Sequence, residues 1–520
     1  MHSYSWEIRV PSPHPSSDRN IRSILIVGGG SAGWMAAAAL ANQLSGTVDI
    51  TLIESDEIGT VGVGEATIPP IKMFNQQLGL NERDFIVATQ GSFKLGIEFV
   101  NWSRKGANYI HPFGTYGAQF DSVPLHYHWL RQRALGHDIP LEELSLGAQL
   151  ARHMKFLAPS GDPRMIQSTI DYAYHFDAGL YARFLRAYAA ARGVTRVEGK
   201  IVNVVQHSES GHIARVTLDD GTTLSADLFI DCSGFRGLLI GETLGSAFVD
   251  WSHWLPCDRA QAVPCDFGAD GRAPFTPYTR STAHEAGWQW RIPLQNRIGN
   301  GHVYVSNFIS DDEAATTLLA NIDGRPLADP RPLKFKAGHR REFWKGNCVA
   351  LGLASGFLEP LESTSLHLMQ SSIARLIALF PDRDFHPALA REFNRVTTEE
   401  YESTRDFIIL HYKGAQRDDS VLWRYTAAME VPDSLAWKME HWQQFGRLVS
   451  KGPELFQNAS WLAVYTGQDI WPDRYDPTAD HRPRVDALAR LEGLRRVIQE
   501  VVDAAPDHKD FIANHCAAPR

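Results

Sequence analysis

Cysteine is scarce in this chain: five among 520 residues, Cys232, Cys257, Cys265, Cys348 and Cys516, scattered without paired spacing. That pattern excludes a disulfide framework and a thiolate metal centre, and it fits reduced thiols in a cytoplasmic protein. No apolar run reaches membrane-spanning length. The opening stretch MHSYSWEIRVPSPHPSSDRN lacks a charged segment followed by an apolar one, so no secretory signal is expected. Its proline and serine content predicts a flexible segment over residues 1–20. Basic charge is in deficit, 51 Lys and Arg against 60 Asp and Glu for a net −9, which argues against nucleic acid as the main partner. The 21 histidines include no pair in a metal-site context, and internal repeats are absent, so no metal and no solenoid are expected. What remains is an ordinary globular composition, 44% hydrophobic and 21% charged.

The first organised unit begins at residue 21. SILIV reads as a buried strand, GGGSAG as a turn, WMAAAALANQL as a helix and VDITLIES as a second strand. Gly28, Gly30 and Gly33 fill a G-x-G-x-x-G pattern around Ser31 and Ala32, and Glu54 ends the second strand 21 residues after Gly33. One glycine permits the tight turn, one the approach of backbone to a pyrophosphate, and one the close packing of helix on strand. The helix N-terminus then meets phosphate, and Glu54 accepts from ribose hydroxyls. A dinucleotide is therefore expected here. Two later stretches, residues 223–240 with Ser233 and Gly234 and residues 344–370 with Gly352, each run from a strand into a glycine turn. They resemble the segments that wrap FAD in hydroxylase-like flavoproteins. No second glycine-loop unit is visible for a nicotinamide cofactor, so a flavin bound here must be reduced elsewhere or by transient contact.

Near the middle of the chain, GWQWRIPLQNRIGNGHVYVSN alternates as a strand should, with Trp288, Trp290 and Ile292 on one face. A short loop ending at Asn300-Gly301 is expected to close a hairpin. Two indoles on one strand face form an unusual surface.

GGGSAGWMAAAAL, GVGEATIPPI, GSFKLGI, GWQWRIP and EPLEST occur together and in order between about residues 22 and 370. In this the chain resembles the flavin-dependent tryptophan halogenases, whose W-x-W-x-I-P signature GWQWRIP fits. The resemblance implies an α/β fold, an FAD-binding Rossmann-like module with an inserted β-sheet over residues 21–385. A mainly helical C-terminal substrate cap is expected over residues 386–520.

The same resemblance implies an oxidoreductase that uses FAD as FADH2 together with O2 and chloride or bromide. Hypohalous acid would form at a flavin hydroperoxide and pass to a separate organic site. Trp288 and Trp290 would shield the flavin from organic substrate and water. Lys94, in GSFKLGI, would hydrogen-bond the hypohalous acid or form a haloamine; burial would favour the haloamine by lowering its pKa. Glu362 would stabilise the ring cation and help remove its proton. Ser363, Thr364 and Ser365 would hold halide beside the flavin. Ser365 stands where such enzymes carry glycine, which tolerates backbone angles serine does not, so halide-site geometry is open. His111 and Phe113, in an H-x-F-G element, would sandwich the substrate ring.

Residues 172–193 read as one amphipathic helix, and helical spacing returns after about residue 385. In PELFQNASWLAVYTGQDIWPDRYDP, Trp461 is a candidate substrate contact, but no clamp for an amino acid's ammonium and carboxylate is evident. Indole or an indole derivative is therefore expected ahead of tryptophan itself. An FAD-dependent aromatic monooxygenase and a non-catalytic flavin-binding protein are the alternatives. A separate flavin reductase supplying FADH2 by diffusion is the expected partner, and the chain is expected to act as a monomer or homodimer.

Overall fold

A computed structural model describes residues 19–44, 46–56, 64–117, 122–481 and 486–519. The expectation of a flexible leader therefore falls almost entirely outside the described residues. The first sheet has six strands in the order Trp344–Lys345, Cys348–Ala350, Leu228–Asp231, Ser23–Val27, Asp49–Glu54 and Thr195–Glu198. All pair in parallel except the first, at the edge. Ile24, Leu25, Ile26, Leu52, Phe229 and Ile230 are at most 1% exposed, which explains why these strands read as apolar runs rather than alternations.

Three glycines set the joint between this sheet and helix Ser31–Leu44. Gly28 has φ +112°, and a Cβ there would lie 2.2 Å from the Cys232 carbonyl oxygen. A Cβ on Gly33 would lie 1.8 Å from the Gly28 carbonyl oxygen. Gly30 alone faces open space. Two glycines thus serve packing, and the middle one leaves backbone bare toward the cleft described below. The alanine face of the helix packs on helices Ala178–Ala190 and Ser365–Ala378.

The second sheet has seven strands: Arg331–Lys334, Arg259–Cys265, Ile298–Tyr304, Gly287–Pro293, Thr279–Ala283, Gly96–Val100 and Asn108–Pro112. The tryptophan strand Gly287–Pro293 lies at its centre with every residue buried. Its hairpin closes earlier than Asn300-Gly301 suggests, at residues 294–297, where Leu294 N–H donates to the Arg297 carbonyl. Asn300 and Gly301 belong to the ladder, with Gly301 opposite Trp290. The glycine is a seat, since a Cβ there would lie 2.0 Å from Trp290 Cζ2.

A small antiparallel sheet, Gly64–Ala66, Ala173–Asp177 and Ser92–Lys94, packs against the tryptophan hairpin of the second sheet. Residues 172–193 are therefore not one helix. Tyr174 and Phe176 alternate as strand residues against Phe85, and Asp177 then caps helix Ala178–Ala190 by accepting from Leu180 N–H. Among the described residues beyond 386 the elements are helices, the longest being Pro387–Lys413. The second half of that long helix, through Tyr412, is buried, and one continuous apolar core runs from Ile21 to Cys516. No helix of the described residues is long and apolar enough to cross a membrane.

Candidate active site

An open cleft of about 330 Å³ runs along the glycine loop. Gly30, Ser31, Ala32, Gly234, Trp290, Ser363 and Ser365 are among the residues that line it. Bare backbone at Gly30, a helix N-terminus at Ser31 and apolar walls fit a dinucleotide flavin. One polar atom supports the fit: the Trp290 indole nitrogen is buried and has no hydrogen-bond partner within the chain.

The other residues expected around the cofactor take supporting places. Glu54 lies beneath the loop, accepting from the Trp34 indole N–H at 3.2 Å and ion-paired with Arg196. Ser233 donates its hydroxyl to Asp231 at 2.6 Å and accepts from Leu238 N–H, so its side chain holds the turn that presents Gly234. Gly352, at φ +64°, passes so close to the helix that a Cβ would lie 2.7 Å from the Ala32 Cβ. The two tryptophans also divide. Trp290 lines the cleft, whereas Trp288 stands behind it, 6.2 Å away between ring centroids and 1% exposed.

Lys94 ends a strand of the small antiparallel sheet and is fully buried. Its ammonium donates to the Thr67 carbonyl and to Ser363 Oγ, both at 2.9 Å, and lies 5.2 Å from the Phe113 ring centre. Burial pushes the amine down to about 7, against the pull of Glu362 and Glu65. Glu65 lines the cleft, and burial raises its carboxyl to about 7 against the opposing charge of Lys94. Ser363 therefore touches both regions: it lines the cleft and holds the lysine. It does so in the left-handed conformation, φ 57° and ψ 37°, an uncommon one for serine, often found at sites where the surrounding structure enforces it.

Glu362 does not line the cleft and is fully buried. His111 Nδ1 donates to it at 3.0 Å, and His411 Nε2 lies 2.8 Å from Oε1. Burial opposes its ionisation, but the two imidazoles outweigh that and hold the carboxyl at about 2. Thr364 follows, buried, with a hydroxyl that has no partner within the chain. Ser365 is the first residue of helix Ser365–Ala378 and keeps an ordinary negative φ. The residue that needs the glycine-like angle is Ser363. Serine at 365 is thus free of backbone strain, and the unpaired Thr364 hydroxyl beside a helix N-terminus suits an anion.

His111 and Phe113 lie together, ring centroids 6.4 Å apart. Phe407 and Phe456, stacked on each other at 3.9 Å, extend that aromatic wall, with His111 5.6 Å from Phe407. Trp461 joins it through Phe407, at 5.0 Å, and gives its indole N–H to the Phe456 carbonyl. Motif and spacing alone do not mark His411, Phe407, Phe456 or Glu65. For His411 a signal existed: a histidine inside the apolar helical run FIILHY, four residues after Phe407 and so on the same helix face. Among the described residues no group of three or more His, Cys, Asp or Glu is placed to hold a metal.

A mostly parallel sheet with this cleft, and a buried lysine that shares one serine with it, fit a flavin-dependent enzyme. The family profile for tryptophan halogenase matches residues 23–484. The tryptophan 6-halogenase SttH of Streptomyces toxytricini is 37% identical over 452 residues, 82% of this chain and 84% of that one. Two solved flavin-dependent halogenases superpose with a TM-score of 0.91, one from Brevundimonas sp. BAL3 at 47% identity and one from Xanthomonas campestris at 46%. Each comparison covers 96% of this chain and 99% of the other. The chain belongs to the tryptophan halogenase family and is a flavin-dependent halogenase.

Proposed function

We propose that this halogenase acts on a neutral, electron-rich aromatic ring, indole or an indole derivative, with Lys94 delivering the halogen. The observation that carries the reading is the Lys94–Ser363 contact at 2.9 Å, because Ser363 also lines the flavin cleft. Gly30, Ser31, Ala32 and Gly234 would hold FAD, and Thr364 with Ser365 the halide. Bound reduced FAD supplies two electrons which, with two from the halide, reduce O2 to two waters and leave the halogen electrophilic.

The chain's own residues do the rest. Trp290 would close the cleft to bulky organics, while Ser363 marks the side on which a small oxidant would leave toward Lys94. With two N–H bonds given to Thr67 and Ser363, a neutral Lys94 amine keeps its lone pair for the halogen. The ring would lie against His111 and Phe113. Glu362, held ionised by His111 and His411, opposes the ring cation and accepts its proton.

Substrate neutrality follows from the charges near Trp461. Lys438 lies 4.5 Å from its ring, yet its ammonium is bonded to both Glu454 oxygens and the Val449 carbonyl. Lys438 and Glu454 satisfy each other, leaving neither for an amino acid's ammonium or carboxylate. Tryptophan itself is the second reading, favoured by the named activity of the 37% identical relative. Since only one glycine-loop unit is visible, reduced FAD would come by diffusion from a separate reductase.

Mass spectrometry of products decides between these readings, with a reductase regenerating reduced FAD and bromide or chloride present. Halogenated indole formed at least about tenfold more efficiently than halogenated tryptophan is expected, a difference of about 1.4 kcal/mol in transition-state binding. Preference for tryptophan would favour the second reading. A hydroxylated product would overturn both.

A further inference from the structure

Directly behind the tryptophan strand sits a carboxyl that the halogenation chemistry does not use. Glu359 is fully buried, and among the described residues no cation pairs with it. Its Oε1 accepts from the Tyr412 hydroxyl at 2.6 Å and from the Trp288 indole N–H at 3.2 Å. Its Oε2 is buried without a hydrogen bond of ordinary geometry, and the Cys257 thiol is its polar neighbour. Burial pushes the carboxyl up to about 7. A buried acid with no counter-ion lowers stability relative to an apolar residue of similar size, so its presence calls for a compensating role.

The partners indicate the role, because each belongs to a different element of the site. Trp288 lies on the tryptophan strand, two residues from the cleft-lining Trp290. Glu359 immediately precedes the 3-10 turn Pro360–Glu362, which leads into Ser363. Tyr412 lies on the long helix next to His411, which approaches Glu362. Tyr412 also sits 3.5 Å from Cys257 Sγ and edge-on to Trp102, and Trp102 packs 6.5 Å from Trp288. One carboxylate oxygen therefore joins the flavin-side wall, the Glu362–Ser363 turn and the histidine that supports Glu362.

We propose that Glu359 is a positioning residue, whose two accepted hydrogen bonds fix Trp288, and through it the Trp290 wall, in register with the Glu362–Ser363 turn. The proposal rests on the reading that Trp290 walls the flavin cleft. Without the acceptor, the Trp288 N–H and Tyr412 hydroxyl are left unpaired in an apolar core and must find new partners by moving. The indole pair and the turn then lose their common anchor, and oxidant escapes before reaching Lys94.

The test uses the full-length protein with FAD and an external reductase, comparing Glu359→Leu, Glu359→Gln, Trp288→Phe and the Glu359→Leu/Trp288→Phe double variant. Three quantities are read: halogenated product per reduced flavin consumed, hydrogen peroxide released without organic substrate, and the near-ultraviolet circular dichroism of the tryptophans. Glu359→Leu is expected to lower the product ratio about tenfold, comparable to losing one buried hydrogen-bonding anchor. Peroxide should rise and the tryptophan signal change, with FAD affinity within about threefold.

Glu359→Gln keeps an acceptor at Oε1 and should restore the ratio to within about threefold of wild type. Trp288→Phe removes only the N–H donor and should give an intermediate loss, and the double variant should be no worse than Glu359→Leu. Wild-type product ratio and tryptophan signal in Glu359→Leu would overturn the proposal, as would additive losses in the double variant. Should Glu359→Leu fail to fold, Trp288→Phe with unchanged ratio and peroxide release would overturn it instead. The peroxide and dichroism arms need no halogenated product, so an error in the substrate reading leaves them decisive.

Discussion

On the cleft side of Ser363 the walls are glycine backbone, alanine and the Trp290 ring, with the Trp290 N–H unpaired. On the lysine side, Lys94 and Glu362 are fully buried and each holds two partners from the chain. The first region has the lining of a receptacle for a large ligand. The second is packed from the chain's own side chains, with the Glu362 carboxylate held ionised in place. Preorganised charge of that kind stabilises a transition state at no further reorganisation cost. On the proposed function, binding the cofactor and directing the oxidant are separate tasks, joined at Ser363.

Substitutions that touch one region and spare the other break this comparison most sharply. Lys94→Ala should abolish halogenated product, a loss of about a thousandfold or more if the lysine is the halogen carrier. FAD affinity, read by fluorescence titration, should stay within about threefold. Loss of FAD binding would merge the two regions into one.

Glu362→Gln should lower product formation by about ten- to a thousandfold, the range for losing one preorganised charged group. Weakly activated rings should suffer more than strongly activated ones, since their cations depend more on the carboxylate. Equal losses on all rings, measured by competition between substituted indoles, would make Glu362 a structural element of its turn.

Gly301→Ala acts from the other side. The new Cβ would overlap the Trp290 ring, costing about 1–3 kcal/mol of stability, and would displace the cleft wall. Peroxide release should rise severalfold while the Lys94 chamber keeps its residual product. Wild-type thermal stability in that variant would contradict the seat assigned to Gly301.

The smallest effect is a pH slope in stability. Lys94 ionises at about 7 in the fold against its ordinary 10.5. Between those values the unfolded chain binds a proton the native chain lacks, so the lysine makes stability rise with pH across that window. Glu65 and Glu359 do the opposite: raised from 4.5 to about 7, they make stability fall as pH climbs through that interval. Lys94→Met should flatten the alkaline rise, and Glu65→Gln should reduce the acidic fall. Each is a change of about 1–3 °C in Tm by calorimetry for a chain of this length. An unchanged slope in Lys94→Met would mean that the amine is not desolvated.

Legibility from sequence also differs between the two regions. The glycine loop was readable because its constraint is local: each glycine answers a contact within one strand–turn–helix unit. Lys94 and Glu362 were readable only through motifs, since 268 residues separate them and neither periodicity nor composition reports their approach. Asn300-Gly301 misled because a turn signal and an aromatic seat both need a residue without a side chain. Residues 172–193 misled because a short buried strand feeding directly into a helix leaves too little alternation to separate from helical spacing. Glu359 and His411 escaped notice because a buried polar side chain is recognised by its partners, which only the fold supplies.

Oxidant made at the cleft is proposed to reach the ring through Lys94, and one single-turnover experiment tests that route. Wild type and Lys94→Met are loaded anaerobically with reduced FAD and bromide, then mixed with oxygenated buffer containing indole and a scavenger for free hypobromous acid. Wild type should yield bromoindole with little scavenger brominated. Lys94→Met should oxidise as much bromide, with all of it on the scavenger. Bromoindole from Lys94→Met at the wild-type yield, or the disappearance of oxidised bromide in that variant, would contradict the account.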